Sequence, residues 1–435
     1  MSSPRLRKKN LMRNIAILCQ EENINQDIEV ICREFTEEFS PVFLRDQESF
    51  VQYLNYEFPE IDIINFTDPE INTKETFDVI KNDPWLHFGG SIVLYQHETE
   101  KEVLQQLSGV NIIALVHIPW IKTYLPRILR VLSNNRGIIF QRDIHALLQS
   151  NISGEFIIDN DPFDAATYSN LLANFLYNSN LINLDQKDGF NSAMMELLIN
   201  AIEHGNCKIS YEEKRDYLMQ GGDILQLIRE KSEAPEVAAR KVHLHYKISP
   251  TRSAFTIRDE GEGFDWRSRM GGPEPEKMQE SLGRGILMAR HYLENMRYNE
   301  DGTQVWFELE HDEHESNIIP TVFRDHDAVH YKDGEVIFRQ GEASSHLSYI
   351  ISGRFDVIAN GKKISTLTAA DIFLGEMSFL LNNKRSATVV CRDKGVLIQV
   401  SKEDFINSIK DQPHYGVFLA RLLAQRLDQL HDVTV

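Results

Sequence analysis

The chain has 435 residues, a formal charge of −19 and 42% hydrophobic residues. At roughly 100–200 residues per domain this length implies two to four domains, and the apolar content is ample for ordinary packed cores. The acidic balance repels phosphate backbones, which argues against nucleic acid as a general partner.

"RLRKKN" near the N-terminus is the one Lys/Arg run, and the "IAILC" that follows is shorter than the roughly 7–15 apolar residues of a secretory leader. No stretch approaches about 18 uninterrupted apolar residues, so no membrane span is expected. Cys19, Cys32, Cys207 and Cys391 form no CxxC pair and no Cys/His cluster, as expected of reduced thiols in a cytoplasmic protein. Downstream, "RNIAILC", "EIDIINF", "SIVLYQ" and "NIIALVHI" alternate with amphipathic segments such as "TYLPRILRVL". Short continuous apolar runs separated by helices predict parallel strands buried on both faces, so residues 1–142 read as a doubly wound α/β domain.

Residues 143–315 open with a strand-like "GEFIID" and a helix from Ala165, continue through the apolar helix around residues 194–206, and then carry a charged helical insert from Tyr211 to Ala239. "VHLHYKI" and "SAFTIRD" alternate as antiparallel strands do, which predicts helices against a sheet. Residues 316–435 change character: "EVIFRQ", "SYIISGRFDVIA", "KISTLT" and "GVLIQV" are short strands with turn signals, Asn360-Gly361 among them, as in a jelly-roll-like β-barrel. Leu419, Leu423, Leu427 and Leu430 form one stripe of a terminal helix.

In "MMELLINAIEHGN" (194–206), Glu196 and Asn200 are four apart and share a helix face. Alone, that pair fits a solvated stripe as well as a site. "DEGEGFD" (259–265) then follows a strand, and "LGRGILMA" (282–289) opens an apolar helix with G-x-G. Glycine permits close backbone approach, and a helix N-terminus offers free N–H groups to phosphate. The polar "RMGGPEPEKMQES" between them suits a mobile lid. In this order the three segments resemble the N, G1 and G2 boxes of the Bergerat-fold (GHKL) ATPases, an α/β sandwich. The resemblance implies ATP and Mg2+ as ligands. Asn200 would hold the magnesium, and Glu196 would be the catalytic group that polarises the attacking hydroxyl or water. Asp259 would accept from the adenine amine, backed by Thr303, with Gly261 and Gly263 shaping the adenine side. Gly283, Arg284 and Gly285 would meet the phosphates, and His204 belongs to the same nucleotide-binding set.

His145 in "DIHALLQSN" lacks the context of a phosphoacceptor histidine and reads as a surface residue. "GRGILMARHYLENMRYNEDGT" instead looks like the anti-sigma-factor serine kinases. This implies a protein partner, a sigma factor or an antagonist protein phosphorylated on serine, and a homodimer. The insert after Asn206 departs from the smallest of those enzymes.

"LGEMSFLLNNKRSATV" (374–389) resembles the phosphate-binding cassette of cyclic-nucleotide-binding domains, and "EVIFRQGEASSHLSYIISGRFDV" resembles the barrel of that family. The resemblance implies that Glu376, next to Gly375, accepts from the ribose 2′-hydroxyl, and that Arg385 pairs with the cyclic phosphate, for which a planar fork suits. The N–H groups and hydroxyl around Ser386 would complete the cradle. Lys384 and Ser378 depart from the commoner proline and alanine, and neither change removes a ligand. The ligand would be cAMP or cGMP, with cAMP favoured in a bacterial context, and the terminal leucine stripe would be a capping helix.

The N-terminal domain resembles a response-regulator receiver, with "HIPWIKTYLPRILRVL" as its last segment. Ile118 stands where that family has lysine, Tyr95 where it has Ser/Thr, and Thr67 at the expected phosphoacceptor position beside Asp68; Glu21 and Glu22 could mimic the metal-binding acids. Aspartyl phosphorylation needs carboxylate, metal and lysine together, so a pseudo-receiver that docks or dimerises is expected. The combined expectation is a cytoplasmic protein whose Bergerat-type serine/threonine kinase activity is controlled by cyclic nucleotide. The alternative is a switch that binds both nucleotides and transfers no phosphate.

Overall fold

The computed structural model describes residues 13–82, 86, 89–98, 100–107, 110–135, 152–179, 181–249, 251–264, 266, 285–311, 317, 319–381, 383–417, 419–420 and 423. The chain divides into two compact units, one of Met1–Arg142 with Ser316–Val435 and one of Asp143–Glu315. His145, Gly283, Arg284, the lid segment and Leu427 and Leu430 lie outside the described residues.

In the first unit, β1 (Arg13–Leu18), β2 (Phe39–Leu44), β3 (Ile61–Asn65), β4 (Gly90–Tyr95) and β5 (Ile112–His117) form a parallel sheet in the order β2-β1-β3-β4-β5. Helices α1 (Glu22–Cys32), α2 (Gln47–Glu57), α3 (Thr73–Asn82), α4 (Glu100–Gln106) and α5 (Ile121–Asn134) connect and flank it. Phe50, Leu54, Phe77, Ile80, Val103 and Leu107 of α2, α3 and the α4 region pack on Ala16, Leu18, Ile64 and Val93, while α1 and α5 pair with each other. Apolar side chains on both faces of β3 and β4 therefore go into helix–sheet cores, as the continuous apolar runs require.

The strand order reverses between β1 and β3, the usual crevice of such sheets. β3 closes on Asn65, two residues before Thr67, and Asn65 is fully buried. Its amide donates to Glu21 Oε1 at 3.0 Å and its oxygen accepts from the Thr67 amide at 3.2 Å and hydroxyl at 3.1 Å. Asp68 uses both carboxylate oxygens on backbone, taking the Gln20 N–H at 2.6 Å and the Glu70 N–H at 3.1 Å. It staples the end of β1 to the loop after β3.

The second unit holds an antiparallel sheet of β6 (Ile152–Ile158), β7 (Val242–Ile248), β8 (Arg252–Arg258), β9 (Glu294–Tyr298) and β10 (Gln304–Glu310) in the order β6-β7-β8-β10-β9. Helices α6 (Pro162–Asn178) and α7 (Leu184–Asn200) pack together, and a later helix, Gly285–Tyr292, packs on α7. Phe190 of α7 meets Phe255 of β8 at 5.1 Å, and Phe255 stacks on Phe307 of β10 at 5.3 Å, so the alternate inward residues form one aromatic core. α6 begins three residues before the expected Ala165, because Asp161 caps it through the Phe163 N–H and Pro162 takes its first turn. The insert folds as α8 (Tyr211–Met219), α9 (Ile224–Ser232) and the one-turn α10 (Pro235–Ala238); Gly285–Tyr292 is then α11.

The C-terminal part of the first unit is an antiparallel assembly of β11 (Ala328–Lys332), β12 (Val336–Phe338), β13 (His346–Ala359), β14 (Lys362–Leu367), β15 (Phe373–Leu374) and β16 (Thr388–Ser401), with α12 (Glu376–Leu380) and α13 (Lys402–Asp411). The long strands β13 and β16 run antiparallel, with register shifts that bend the pair. One core gathers Leu347, Tyr349, Phe373, Ile398 and Phe405, the other Ile350, Phe355, Leu374 and Leu397. Asn360 and Gly361 make the expected hairpin turn, both at positive φ.

Candidate functional sites

In the second unit the α-helix that carries Glu196 stops at Asn200, and Ala201–Asn206 continue as a π-helical turn. One wide turn changes the direction in which the following side chains emerge, a frequent device at functional sites. Gly205 on that turn lies against Asp259, so that a Cβ there would overlap the carboxyl group. Gly263, at φ +80°, lies so close to the Asp301 carbonyl that no side chain fits. Asn206, fully buried, locks the turn: its amide donates to Asn160 Oδ1 at 2.8 Å and its side-chain oxygen accepts the Glu260 N–H at 2.8 Å.

The result is a cavity of about 450 Å³ whose wall includes Asn200, His204, Asp259, Gly263 and Thr303 of the expected set. Asn200 Nδ2 donates to Glu196 Oε1 at 3.3 Å, and Glu196 itself is not on the cavity wall. Gly261 gives its N–H to Asp259 Oδ1 at 2.9 Å. The Thr303 carbonyl accepts the Asp259 N–H at 3.0 Å, and its hydroxyl accepts from Asn299 Nδ2 at 2.9 Å, so Thr303 backs Asp259 through main chain. His204 Nδ1 donates to the Ile209 carbonyl at 2.5 Å. Gly285 opens α11 against α7. Burial pushes the Asp259 carboxyl up to about 6, with the Gly261 N–H and Arg240 and Arg258 acting in the opposite sense.

Sequence reading missed several wall residues. Gly205 and Gly302 were not singled out, nor were Phe264 and Tyr298, whose rings meet edge to face at 5.4 Å. It also missed the segment that leads into the insert: Lys208, Ile209 and Ser210, with Glu212 of α8, line the cavity, and Lys208 pairs with Glu262. Among these, the "EHGN" and "DGT" glycines were the available signal. The aromatic contact spans residues too far apart for any local pattern.

The cavity fits an adenine nucleotide on three counts: a buried carboxylate acceptor, wall glycines where a side chain would overlap Asp259 or the Asp301 carbonyl, and an amide oxygen for a hard cation.

In the C-terminal part, Arg385 is only 2% exposed. Its Nη1 donates to the Gly375 carbonyl at 2.9 Å and to Ser378 Oγ at 3.2 Å, and Nη2 donates to the His346 carbonyl at 2.6 Å. The guanidinium lies 4.1 Å over the Phe338 ring. Its Nε is buried without a hydrogen-bond partner. Gly375 caps α12 at φ +73°, and a Cβ there would overlap Arg385 Nη1. Glu376 opens α12 and is 6% exposed, whereas Ser386 is exposed. A buried cation with an unspent donor, beside a buried carboxylate, fits a ligand that carries both phosphate and hydroxyl groups.

Comparison with known proteins identifies two domains. Residues 159–309 match the histidine kinase-like ATPase domain and residues 328–412 the cyclic nucleotide-binding domain. A cGMP-dependent protein kinase of Plasmodium berghei is 39% identical over 80 residues, 18% of this chain and 9% of that protein. Rap guanine nucleotide exchange factor 3 of Homo sapiens is 28% identical over 167 residues, 33% of this chain and 18% of that protein. The chain thus spans a small part of the length of these relatives. A solved Thermus thermophilus catabolite activator protein is 28% identical, covering 25% of this chain and 54% of its own at a TM-score of 0.24. No described helix is long and apolar enough to cross a membrane. One chain therefore carries a histidine kinase-like ATPase domain and a cyclic nucleotide-binding domain.

Proposed function

We propose that this chain is a signalling kinase in which cyclic nucleotide, cAMP in the first instance, controls an ATP-dependent serine/threonine kinase of the anti-sigma-factor type. The observation that carries the reading is the convergence of Asn200 and Asp259, from helix and sheet, on one cavity. Bound magnesium-ATP would supply the transferable phosphoryl group. Asp259 would accept the exocyclic amine, and its burial strengthens that hydrogen bond. With its amide nitrogen given to Glu196, Asn200 keeps its oxygen for magnesium. Glu196 would take the proton of a partner's serine hydroxyl. The β2-β1-β3-β4-β5 order supports a receiver-like N-terminal domain. Thr67, at the expected phosphoacceptor position, carries no carboxylate, and Asp68 beside it is tied to the backbone N–H groups of Gln20 and Glu70, which supports a docking or dimerising role.

The test is phosphorylation of a serine-containing antagonist protein by the purified chain, with magnesium-ATP binding followed by calorimetry. Asn200→Ala should lower magnesium-dependent ATP affinity at least tenfold and abolish transfer; unchanged transfer would remove Asn200 from the site. A second reading, a partner-binding switch without catalysis, draws on the place of Glu196 off the cavity wall and its bond to Asn200. Under that reading Glu196→Ala leaves nucleotide-dependent partner binding intact and no phosphoserine forms in any variant.

A further inference from the structure

The geometry points to Ser378 as a positioning residue for the Arg385 guanidinium, and hence as a determinant of cyclic-nucleotide affinity; this rests on the reading of Arg385 as the phosphate ligand. Ser378 is 6% exposed and sits on α12, seven residues before Arg385. Its Oγ donates to the Gly375 carbonyl at 3.1 Å and accepts from Arg385 Nη1 at 3.2 Å. Nη1 also reaches the Gly375 carbonyl directly, at 2.9 Å. Serine hydroxyl, carbonyl and guanidinium N–H thus close a triangle, and the hydroxyl's other acceptor, Ser344 Oγ, is farther away at 3.5 Å.

The rest of the seat cannot do this alone. The His346 carbonyl holds Nη2 at 2.6 Å on the other side, and the Phe338 ring supports one face at 4.1 Å. Without the hydroxyl, Nη1 would keep the Gly375 carbonyl as its single acceptor, and that end of the fork would be held less firmly. With it, Nη1 has two acceptors and Nη2 one, and Nε remains the buried donor without a partner. A charged donor already aimed loses little freedom when an anion arrives, and that saving appears as affinity. Alanine at this place would keep the packing volume and lose the aim. Gly375 belongs to the same device, since a side chain there would displace Nη1.

The experiment is calorimetric titration of the full chain with cAMP and, separately, cGMP, in wild type, Ser378→Ala, Arg385→Lys and the double variant, with the thermal midpoint of each free protein recorded. Ser378→Ala should weaken binding about tenfold in the wild-type background while the midpoint moves little, as expected for losing one hydrogen bond to a charged group. In the Arg385→Lys background, where the fork is gone, the same change should have no further effect. Equal affinity of Ser378→Ala and wild type overturns the proposal. So does an equal loss in both backgrounds, which would make Ser378 a packing residue. If wild type binds neither nucleotide, or Arg385→Lys binds as wild type does, the phosphate-ligand reading falls and the positioning role falls with it.

Discussion

At the scale of single residues, Asp259 is the group whose chemistry is most changed by its surroundings. Burial raises its carboxyl to about 6, above the ordinary 3.8. The sign is definite: the charged form is disfavoured, so protonation sets in as pH falls through about 6 rather than 4. An adenine amine needs the carboxylate as acceptor, so bound nucleotide pulls the pKa back down. Affinity for ATP should therefore hold above about pH 6.5 and fall below it, by up to about tenfold per unit. Calorimetry from pH 8 to 5 checks this against Asp259→Asn, which should show only the slope due to the nucleotide's own phosphate. A common slope in both proteins would place the titration elsewhere. Asn200 and Asp259, which the structure brings to one cavity, and the buried Arg385 stood out in sequence, because their motifs set a charge or amide at fixed spacing from glycines. The contact of Gly205 with Asp259 and that of Ser378 with Arg385 did not, since the first crosses 54 residues and the second follows from a side-chain rotamer.

At the scale of elements, the insert is the part that local sequence described least well. Its helices were readable from composition, but not that they reach back to the nucleotide-site turn. Lys214 of α8 pairs with Glu203 at 2.6 Å, and the Glu203 side chain is 3% exposed. Arg240, just past α10, donates to the Asn206 carbonyl at 2.7 Å. Both anchors fall on the Ala201–Asn206 turn, so the insert region is tied directly to the cavity wall. Lys214→Ala leaves a buried carboxylate without its cation. That should destabilise the second unit by roughly 2 kcal/mol, less than for a fully buried pair because Lys214 is partly exposed. Urea denaturation measures it. Glu203→Gln in the same background should recover most of the loss; failure to recover would assign the cost to lost α8 packing. The π-helical turn was itself illegible, since "NAIEHGN" continues the apolar helical pattern and only the Asn206 hydrogen bonds show where the helix widens.

At the scale of the whole molecule, two nucleotide domains on one chain permit control of one by the other, and linkage makes the control measurable. A coupling free energy of about 1–3 kcal/mol would change ATP affinity by about 5–150-fold on adding saturating cyclic nucleotide, and ATP would change cyclic-nucleotide affinity by the same factor. Paired titrations in both orders give that factor. Unequal factors would mean that a third equilibrium, such as self-association, intervenes. Equal affinities with and without the second ligand would place any regulation in partner binding or catalysis.

Local pattern alone carried the changes of strand and helix character along the chain and the two nucleotide-binding domains. Hydrophobic periodicity reports which face an element buries, and the glycine, carboxylate and arginine motifs report what charge the site must meet. Only the tertiary structure decided that β3 ends on Asn65 with Asp68 tied to backbone, that the Ala201–Asn206 turn widens, and that Ser378 and Gly375 seat Arg385. The physical reason is common to all three. Each depends on where one hydrogen-bonding atom finds its partner across the fold, and such pairings leave no period in the sequence.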